Sequence, residues 1–341
     1  MHKSWGNMIE FNKGADEMGV DVMRWMYARQ NPSENLLFGY KLANDTRRRF
    51  HLKLWNIYNF FVTYANIDGW KPEESKKESL NILDKWILSR LNQLITESTK
   101  YLEDYDAFNA SNLIEEFVDD FSNWYIRRSR DRVGPTAEDS KDKNSFYETT
   151  HYTLSALMKL LAPFTPYIAD VIYTNLTKEE SVHLVDWPSV EGETDMELIK
   201  EMAALREVVE KVHSERKEVN IPVRQPLNSF ATNYSKPVPE LEVLIKDEVN
   251  VKDIGWGKLK GEGLKVELDI KMTPELEEEA KARELIRKVQ EERKKMKMDI
   301  SQKISVTSPW LPEDKEILQK IKDRVLATAL EKGKFKVTKT S

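Results

Sequence analysis

Residues 41–61 read KLANDTRRRFHLKLWNIYNFF, and most of the side chains at steps of three and four are apolar. Residues three and four apart are neighbours on a helix surface, so this spacing puts them on one face. The stretch is therefore predicted to be an amphipathic helix, which ends at the turn formed by residues 68–72. The shared face consists of Ala43, Arg47, Phe50, Leu54, Ile57 and Phe61.

Four more amphipathic helices are predicted between this helix and residue 176. The last of them begins with Thr165 as N-cap and Pro166 at the first helical position, where proline is well tolerated. Five such helices with short connections favour an antiparallel bundle. The apolar stripes of the four helices lie within residues 80–101, 113–124, 147–161 and 168–176.

The pattern changes after residue 182. One more helix, over residues 199–212, leads to Pro222 and Pro226, which exclude helix, and short β-like runs then alternate with helices at 274–297 and 313–330. The predicted fold class is mainly α, an antiparallel helical bundle followed by a smaller α+β domain. We expect a helical domain over residues 41–225 and an α+β domain over 226–341, and we detect no internal repeat.

Composition excludes several classes of site. The chain has 341 residues, a formal net charge of -5 and no cysteine. Disulfides, thiolate nucleophiles and thiolate zinc sites are thus excluded, and no apolar run reaches the roughly 18 residues of a membrane span. The five histidines are scattered without metal-ligand spacing. We expect a cytoplasmic protein that binds no metal in this segment.

Positive charge is concentrated in three clusters, at residues 127–132, 281–297 and 332–339. A chain of negative net charge can still bind a polyanion through such clusters, because salt limits the relevant field to about 10 Å. Each cluster taken alone is also typical of a solvated helix face, which is the more common structural explanation.

The first seven residues, MHKSWGN, carry a lysine and a serine beside a glycine. They resemble the mobile Lys-Met-Ser-Lys-Ser-x-Gly-Asn loop of class I aminoacyl-tRNA synthetases, with the first lysine missing and His2 in place of a serine. The resemblance implies that Lys3 and Ser4 are catalytic. It also implies that Lys3, Ser4, Gly6 and Asn7 contact ATP, bound with Mg²⁺ in the full enzyme.

A second motif follows at the spacing found in that family. Residues 19–25, GVDVMRW, are similar to the Gly-Ala-Asp-Ala-Leu-Arg helix that comes after the loop. Residues 1–40 are accordingly expected to be the remnant of a catalytic domain. This chain alone is then expected not to form an aminoacyl-adenylate, and the catalytic half would lie upstream in the same polypeptide or in a separate chain.

The segment 122–130, SNWYIRRSR, ends the third helix of the bundle. Its arginines can pair with carboxylates near the helix end, or they can bind phosphate beside an aromatic ring. The segment resembles the helical anticodon-binding domain of the isoleucyl, valyl and leucyl enzymes, which favours RNA contact by Trp124, Arg127, Arg128 and Arg130. Residues 219–227 resemble the element that closes that domain and add Arg224.

Residues 273–295 point to the isoleucyl family in particular. TPEL, then ARELIRKVQEERKK, resembles the C-terminal domain of isoleucyl-tRNA synthetases, and without cysteine it looks like the zinc-free type. We predict that the apolar side chains of this helix face a core while Arg287, Arg293 and Lys294 contact tRNA. A merely solubilising face is the structural alternative.

These resemblances imply the tRNA-binding C-terminal portion of an isoleucine–tRNA ligase, with tRNA(Ile) and the catalytic half as partners, no membrane, and a monomeric state. Three alternatives stay open. The chain can be a free-standing tRNA-binding module, a helical scaffold that binds no tRNA, or the same region of a valyl or leucyl enzyme.

Overall fold

The structure, a computed structural model, describes residues 8–72, 81–137 and 139–340. The chain divides into two compact units, Met1–Met196 and Glu197–Ser341. The first is helical, and the second combines helices with two small sheets. The predicted fold class, a helical bundle followed by an α+β domain, is confirmed.

The described part of the first unit contains the predicted bundle, preceded by two short helices. The quoted stretch 41–61 is helical, but Arg47–His51 adopts a π-helical conformation between two α-helices, and Phe121–Ile126 does the same after a later helix. Such π segments rotate the residues that follow them around the helix axis. The helices are α1 (Phe11–Met18), α2 (Val20–Ala28), α3 (Tyr40–Thr46), α4 (Leu52–Asp68), α5 (Ile82–Glu103), α6 (Ala107–Asp120), α7 (Ser140–Leu161) and α8 (Pro166–Thr177).

Aromatic side chains fill much of the bundle core. The ring of Trp25 on α2 stacks on Phe50, with 3.9 Å between the ring centroids and 7° between the planes. The ring of Tyr125 stacks on Phe146 of α7 at 5.8 Å. All four rings are buried, so the π segments carry large core residues and are continuous with the bundle.

The second unit has two three-stranded sheets. Strand β1 lies at the centre of the first, with β2 parallel to it and β3 antiparallel. Strand β4 lies at the centre of the second, with β5 parallel and β6 antiparallel. The elements are α9 (Met196–Glu218), β1 (Leu227–Thr232), α10 (Pro239–Val249), β2 (Val251–Gly255), β3 (Val266–Leu268), α11 (Pro274–Lys295), β4 (Ile304–Ser308), α12 (Lys315–Val325), β5 (Ala327–Lys332) and β6 (Lys336–Lys339).

The second unit is an internal repeat. Each half runs helix, central strand, helix, parallel strand, antiparallel strand, in the order α9-β1-α10-β2-β3 and then α11-β4-α12-β5-β6. Helices α10 and α12 both have 11 residues and both end in a left-handed residue, Asn250 and Leu326. The left-handed residues Asn220 and Lys297 likewise follow α9 and α11.

The sequence carries the same repeat, so the expectation of no internal repeat is wrong. With residues 205–227 placed on 282–304, an offset of 77, eight of the 23 pairs are identical. In both repeats the central strand begins with an apolar residue, and arginines stand at the same positions. Both features are expected of two halves that share one scaffold. The identical pairs are Arg206/Arg283, Glu207/Glu284, Lys211/Lys288, Val212/Val289, Glu215/Glu292, Arg216/Arg293, Lys217/Lys294 and Gln225/Gln302.

Among the described residues, no helix has the length and apolar character needed to cross a membrane.

Candidate nucleic-acid interface

The motif of residues 19–25 forms the start of α2, which is fixed to the turn between α7 and α8. The carboxylate of Asp21 accepts hydrogen bonds from the backbone N–H of Ile168 (2.7 Å) and Tyr167 (3.4 Å). The guanidinium of Arg24 donates to the carbonyls of Pro163 (2.7 Å) and Phe164 (3.1 Å). Asp21 therefore caps α8 from another helix, and burial raises its pKa.

Removing this cap should loosen the turn. We expect Asp21→Ala to lower the free energy of unfolding of the first unit by about 1–2 kcal/mol, because two N–H groups at the start of α8 lose their acceptor. Amide hydrogen exchange of residues 163–170 measures the effect. Asp16→Ala, a change at an exposed residue of α1, serves as the control, and equal exchange in both variants would contradict this role for Asp21.

A buried carboxylate connects α2 to α6. Glu115 accepts from the indole N–H of Trp25 (3.2 Å) and forms ion pairs with Arg29 (2.7 Å) and Arg49 (2.6 Å). Its side chain is 8% exposed, whereas that of Arg49 is 55% exposed. Glu115 thus ties the partly buried Arg29 and the exposed Arg49 to α6, the helix that precedes the predicted RNA segment.

The π segment after α6 is fixed by a second buried carboxylate, Asp84 of α5. Its oxygens accept from the hydroxyl of Tyr125 (2.6 Å), from that of Ser145 (2.7 Å) and from two nitrogens of Arg132 (2.6 and 2.7 Å). Burial and the nearby Asp84 raise the pKa of Tyr125. For Arg132, burial acts to lower the pKa, but its bonds to Asp84 and Asp142 outweigh it and the pKa is raised. Arg132, part of the basic cluster 127–132, is therefore structural.

The other arginines of this segment lie closer to solvent. Arg127 and Arg130 are exposed and Arg128 is partly buried. The guanidinium of Arg127 lies 5.9 Å from the ring centroid of Trp124, and its Nε donates to the carbonyl of Asn123 (2.8 Å). Trp124 itself is only 5% exposed, so its ring supports Arg127 more than it offers a face for a base.

In the second unit the structure brings two of the predicted residues together. Arg224 and Arg287 are both exposed and both lie beside Glu284, at 4.0 Å and 2.7 Å between charged atoms. Lys294 is also exposed, near the end of α11. These three side chains are placed where a polyanion can reach them.

Arg293, which is predicted from the sequence to contact tRNA, is instead buried. It is 7% exposed, and its guanidinium donates to the carbonyls of Gln302 (2.7 Å), Asp299 (3.0 Å), Ile300 (3.0 Å) and Val325 (3.2 Å). Arg293 follows the buried Val289 by four residues and thus continues the apolar stripe of α11. Its position gives it a structural role in holding the turn before β4.

Arg216 occupies the equivalent position in the first repeat, and sequence reasoning missed it. It is 1% exposed and donates to the carbonyls of Gln225 (3.0 Å), Pro222 (3.4 Å), Val249 (2.8 Å) and Asn250 (3.1 Å). Burial lowers its pKa to about 10, which leaves it charged at neutral pH. The sequence feature that indicates its burial is its place in the apolar stripe of α9, four residues after Val212.

The predicted ATP contacts Lys3, Ser4, Gly6 and Asn7 lie outside the described residues. Within the described part of the chain, no group of three or more histidine, aspartate or glutamate side chains is placed to bind a metal ion.

Comparison with known proteins places this arrangement in a family. A family model described as "Anticodon-binding domain of tRNA ligase" matches residues 84–231. "Isoleucine--tRNA ligase" of Dehalococcoides mccartyi is 36% identical over 332 residues, 89% of this chain and 32% of the relative. The "Isoleucine--tRNA ligase" of Clostridium tetani is 39% identical over 75% of this chain and 26% of the relative. That of Pyrococcus horikoshii is 30% identical over 96% of this chain and 38% of the relative.

The chain thus spans about a third of the length of the curated relatives that it matches. The similarity extends over both units, beyond the domain common to tRNA ligases. It includes the helix α11, whose sequence pointed to the isoleucyl group. The chain contains the anticodon-binding domain of tRNA ligases and is similar to isoleucine–tRNA ligases over both units.

Proposed function

We propose that this chain binds tRNA(Ile) and holds it for isoleucine ligation by the whole protein. The observation that supports the proposal most directly is the match of the anticodon-binding family model to residues 84–231, which include the exposed Arg127 and Arg130. An RNA backbone is a dense row of negative charges, and exposed guanidiniums on a rigid support bind it with little loss of conformational entropy.

The rigidity comes from the buried groups beneath the arginines. Asp84 binds Tyr125 on one side of Arg127 and Arg132 on the other, so the segment between them is fixed at both ends. The cation–π contact with Trp124 restricts Arg127 further. We assign phosphate contacts to Arg127, Arg128 and Arg130 in the first unit and to Arg224, Arg287 and Lys294 in the second.

In the whole protein, we propose that ATP with Mg²⁺ activates isoleucine in the catalytic part. Lys3, Ser4, Gly6 and Asn7 would contact the nucleotide there, since a mobile cation can stabilise charge that develops on the triphosphate. The partners are then tRNA(Ile) and the catalytic half, and we propose a monomer that acts in the cytoplasm.

Charge reversal tests the arginine surface. We expect Arg127→Glu and Arg128→Glu each to weaken binding of a tRNA(Ile) transcript by about tenfold and to make its salt dependence less steep, because each loses a phosphate contact and adds repulsion. Fluorescence anisotropy at 50 and 200 mM salt measures both. Lys41→Glu makes the same charge change at an exposed residue of α3 and should bind within about twofold of the parent.

Parent-like binding by both arginine variants would overturn this assignment, and absence of tRNA binding at low salt would overturn the function. A panel of purified isoacceptors then separates isoleucyl from valyl or leucyl specificity. Tighter binding of a valine or leucine tRNA would contradict tRNA(Ile) as the partner.

A further inference from the structure

A cleft between α11 and α12 combines an apolar floor with a basic rim. It has a volume of about 590 Å³. Its lining residues follow helical spacing on both helices, residues 279, 282, 283 and 286 on α11 and residues 317, 320, 321 and 324 on α12. Ala282, Ile286, Ile317 and Ile321 provide the floor, where Ile286 and Ile317 cover the core of the second repeat.

The rim carries four basic side chains and one acidic side chain. Lys252, Arg283, Lys320 and Arg324 are all exposed, and Glu279, the acidic member, forms an ion pair with Lys252. The pKa of Arg283 is lowered, chiefly by burial; the charges of Glu279 and Asp247 act to raise it, and that of Arg324 acts to lower it. Two guanidiniums that repel each other across a cleft are stabilised by an anion between them.

The cleft is preformed, because hydrogen bonds join α11 to the end of α12 and to the residue before the N-cap of α12. Gln290 donates to the carbonyl of Arg324 (3.0 Å), and Arg293 donates to that of Val325 (3.2 Å). At the other end the carboxylate of Glu278 accepts from the backbone N–H of Glu313 (2.6 Å). A ligand therefore meets a fixed site and loses little affinity to reorganisation of the protein.

The first repeat shows that the scaffold does not require such a cleft. With the offset of 77 for α11 and 76 for α12, Ile317, Lys320 and Arg324 correspond to residues 241, 244 and 248. Those residues are Leu241, Leu244 and Glu248, and all three are buried. The exposed positive charges of Lys320 and Arg324 are thus particular to the second repeat, whereas Arg283 has a counterpart in Arg206.

We propose that this cleft binds one unstacked nucleotide of RNA, with the base on the isoleucine floor and the phosphate between Arg283, Lys320 and Arg324. The proposal rests on the proposed tRNA function and adds a site to it. The volume lies in the range of small-ligand pockets. An apolar floor beside cations matches a nucleotide, which has a flat base next to a phosphate, and single-stranded RNA offers such bases to proteins.

The test uses the whole chain and a labelled single-stranded RNA 12-mer of mixed sequence. We expect Arg283→Ala and Lys320→Ala each to weaken binding about fivefold, and to reduce the slope of log affinity against log salt by about 0.7, the value for one phosphate of a single strand. Ile317→Ala should weaken binding about threefold and leave the slope unchanged, because it removes apolar contact only.

Arg206→Ala is the matched control, since Arg206 is the first-repeat counterpart of Arg283. It should bind the 12-mer within about twofold of the parent, and circular dichroism should show each variant folded. A cross-link from 4-thiouridine in the 12-mer to residues 283–286 or 317–324 would support the site directly. Parent-like binding by all three cleft variants, or equal competition by poly-glutamate, which would indicate an acidic peptide as occupant, overturns the proposal.

The failures of the two proposals can be told apart. If tRNA binding is weakened in Arg127→Glu and RNA binding is unchanged in the cleft variants, the tRNA function stands and the cleft assignment falls. If the 12-mer binds through the cleft while tRNA(Ile) is not bound at low salt, the cleft assignment stands and the tRNA function falls.

Discussion

Replacing Asp84 with alanine is expected to lower the free energy of unfolding of the first unit by about 3–5 kcal/mol. The side chain is fully buried and binds Tyr125, Ser145 and Arg132. Its removal leaves Arg132, whose side chain is 8% exposed, with Asp142, whose side chain is 29% exposed, as its remaining carboxylate partner among the described residues. Breaking the fully buried pair leaves the Arg132 charge only partly compensated, and this costs more than the ion pair contributed, so the loss should be large.

Urea dependence of amide hydrogen exchange measures this loss for the first unit separately, which matters because two units need not unfold together. Asp119→Ala is the control. Its carboxylate pairs with Lys53 and is 45% exposed, so its removal should cost below about 1 kcal/mol. The double variant of Asp84→Ala with Arg132→Met should lose less than the two single changes added. Additive losses, or a loss below about 1 kcal/mol for Asp84→Ala, would contradict the role of the pair.

Helical periodicity predicted the bundle well, because buried faces leave a period of 3.6 residues in the sequence. The partners of a buried carboxylate leave no such period. Asp84 contacts side chains that are between 41 and 61 residues away along the chain, at positions 125, 132 and 145. Nothing in the local sequence distinguishes Arg132, whose side chain is 8% exposed, from Arg130, which is exposed. The interpretation of residues 127–132 as a single basic cluster therefore combined structural and surface arginines.

The repeat could have been found in the sequence. A comparison of the chain with itself at an offset of 77 aligns eight identical residues of 23, and the aligned segment covers a helix, a turn and a strand start. The functions of the surface arginines, unlike the repeat, cannot be found from the sequence and the exposure of these residues. Exposure at Arg127 and Arg130 is compatible with RNA binding, but an exposed arginine in itself is equally typical of a solvated surface.

The paired arginines of the repeat lead to the second large prediction. Arg216→Ala and Arg293→Ala should each destabilise the second unit by about 3–5 kcal/mol, because each removes one donor group from four main-chain carbonyls. In both repeats those carbonyls belong to the turn before the central strand and to the end of the following helix. Their oxygens then have to find water or remain unpaired.

The neighbouring lysines provide matched controls. Lys217→Ala and Lys294→Ala change exposed residues one position later on the same helices and should alter stability by less than about 0.5 kcal/mol. Arg216→Lys should recover only part of the loss, since an ammonium group cannot present the planar set of donors that reaches both segments. Peptide-resolved hydrogen exchange over residues 221–227 and 298–304 gives the readout. Protection equal to the parent in both alanine variants would show that the turns are held by the rest of the sheet, and that these buried guanidiniums are not what fixes them.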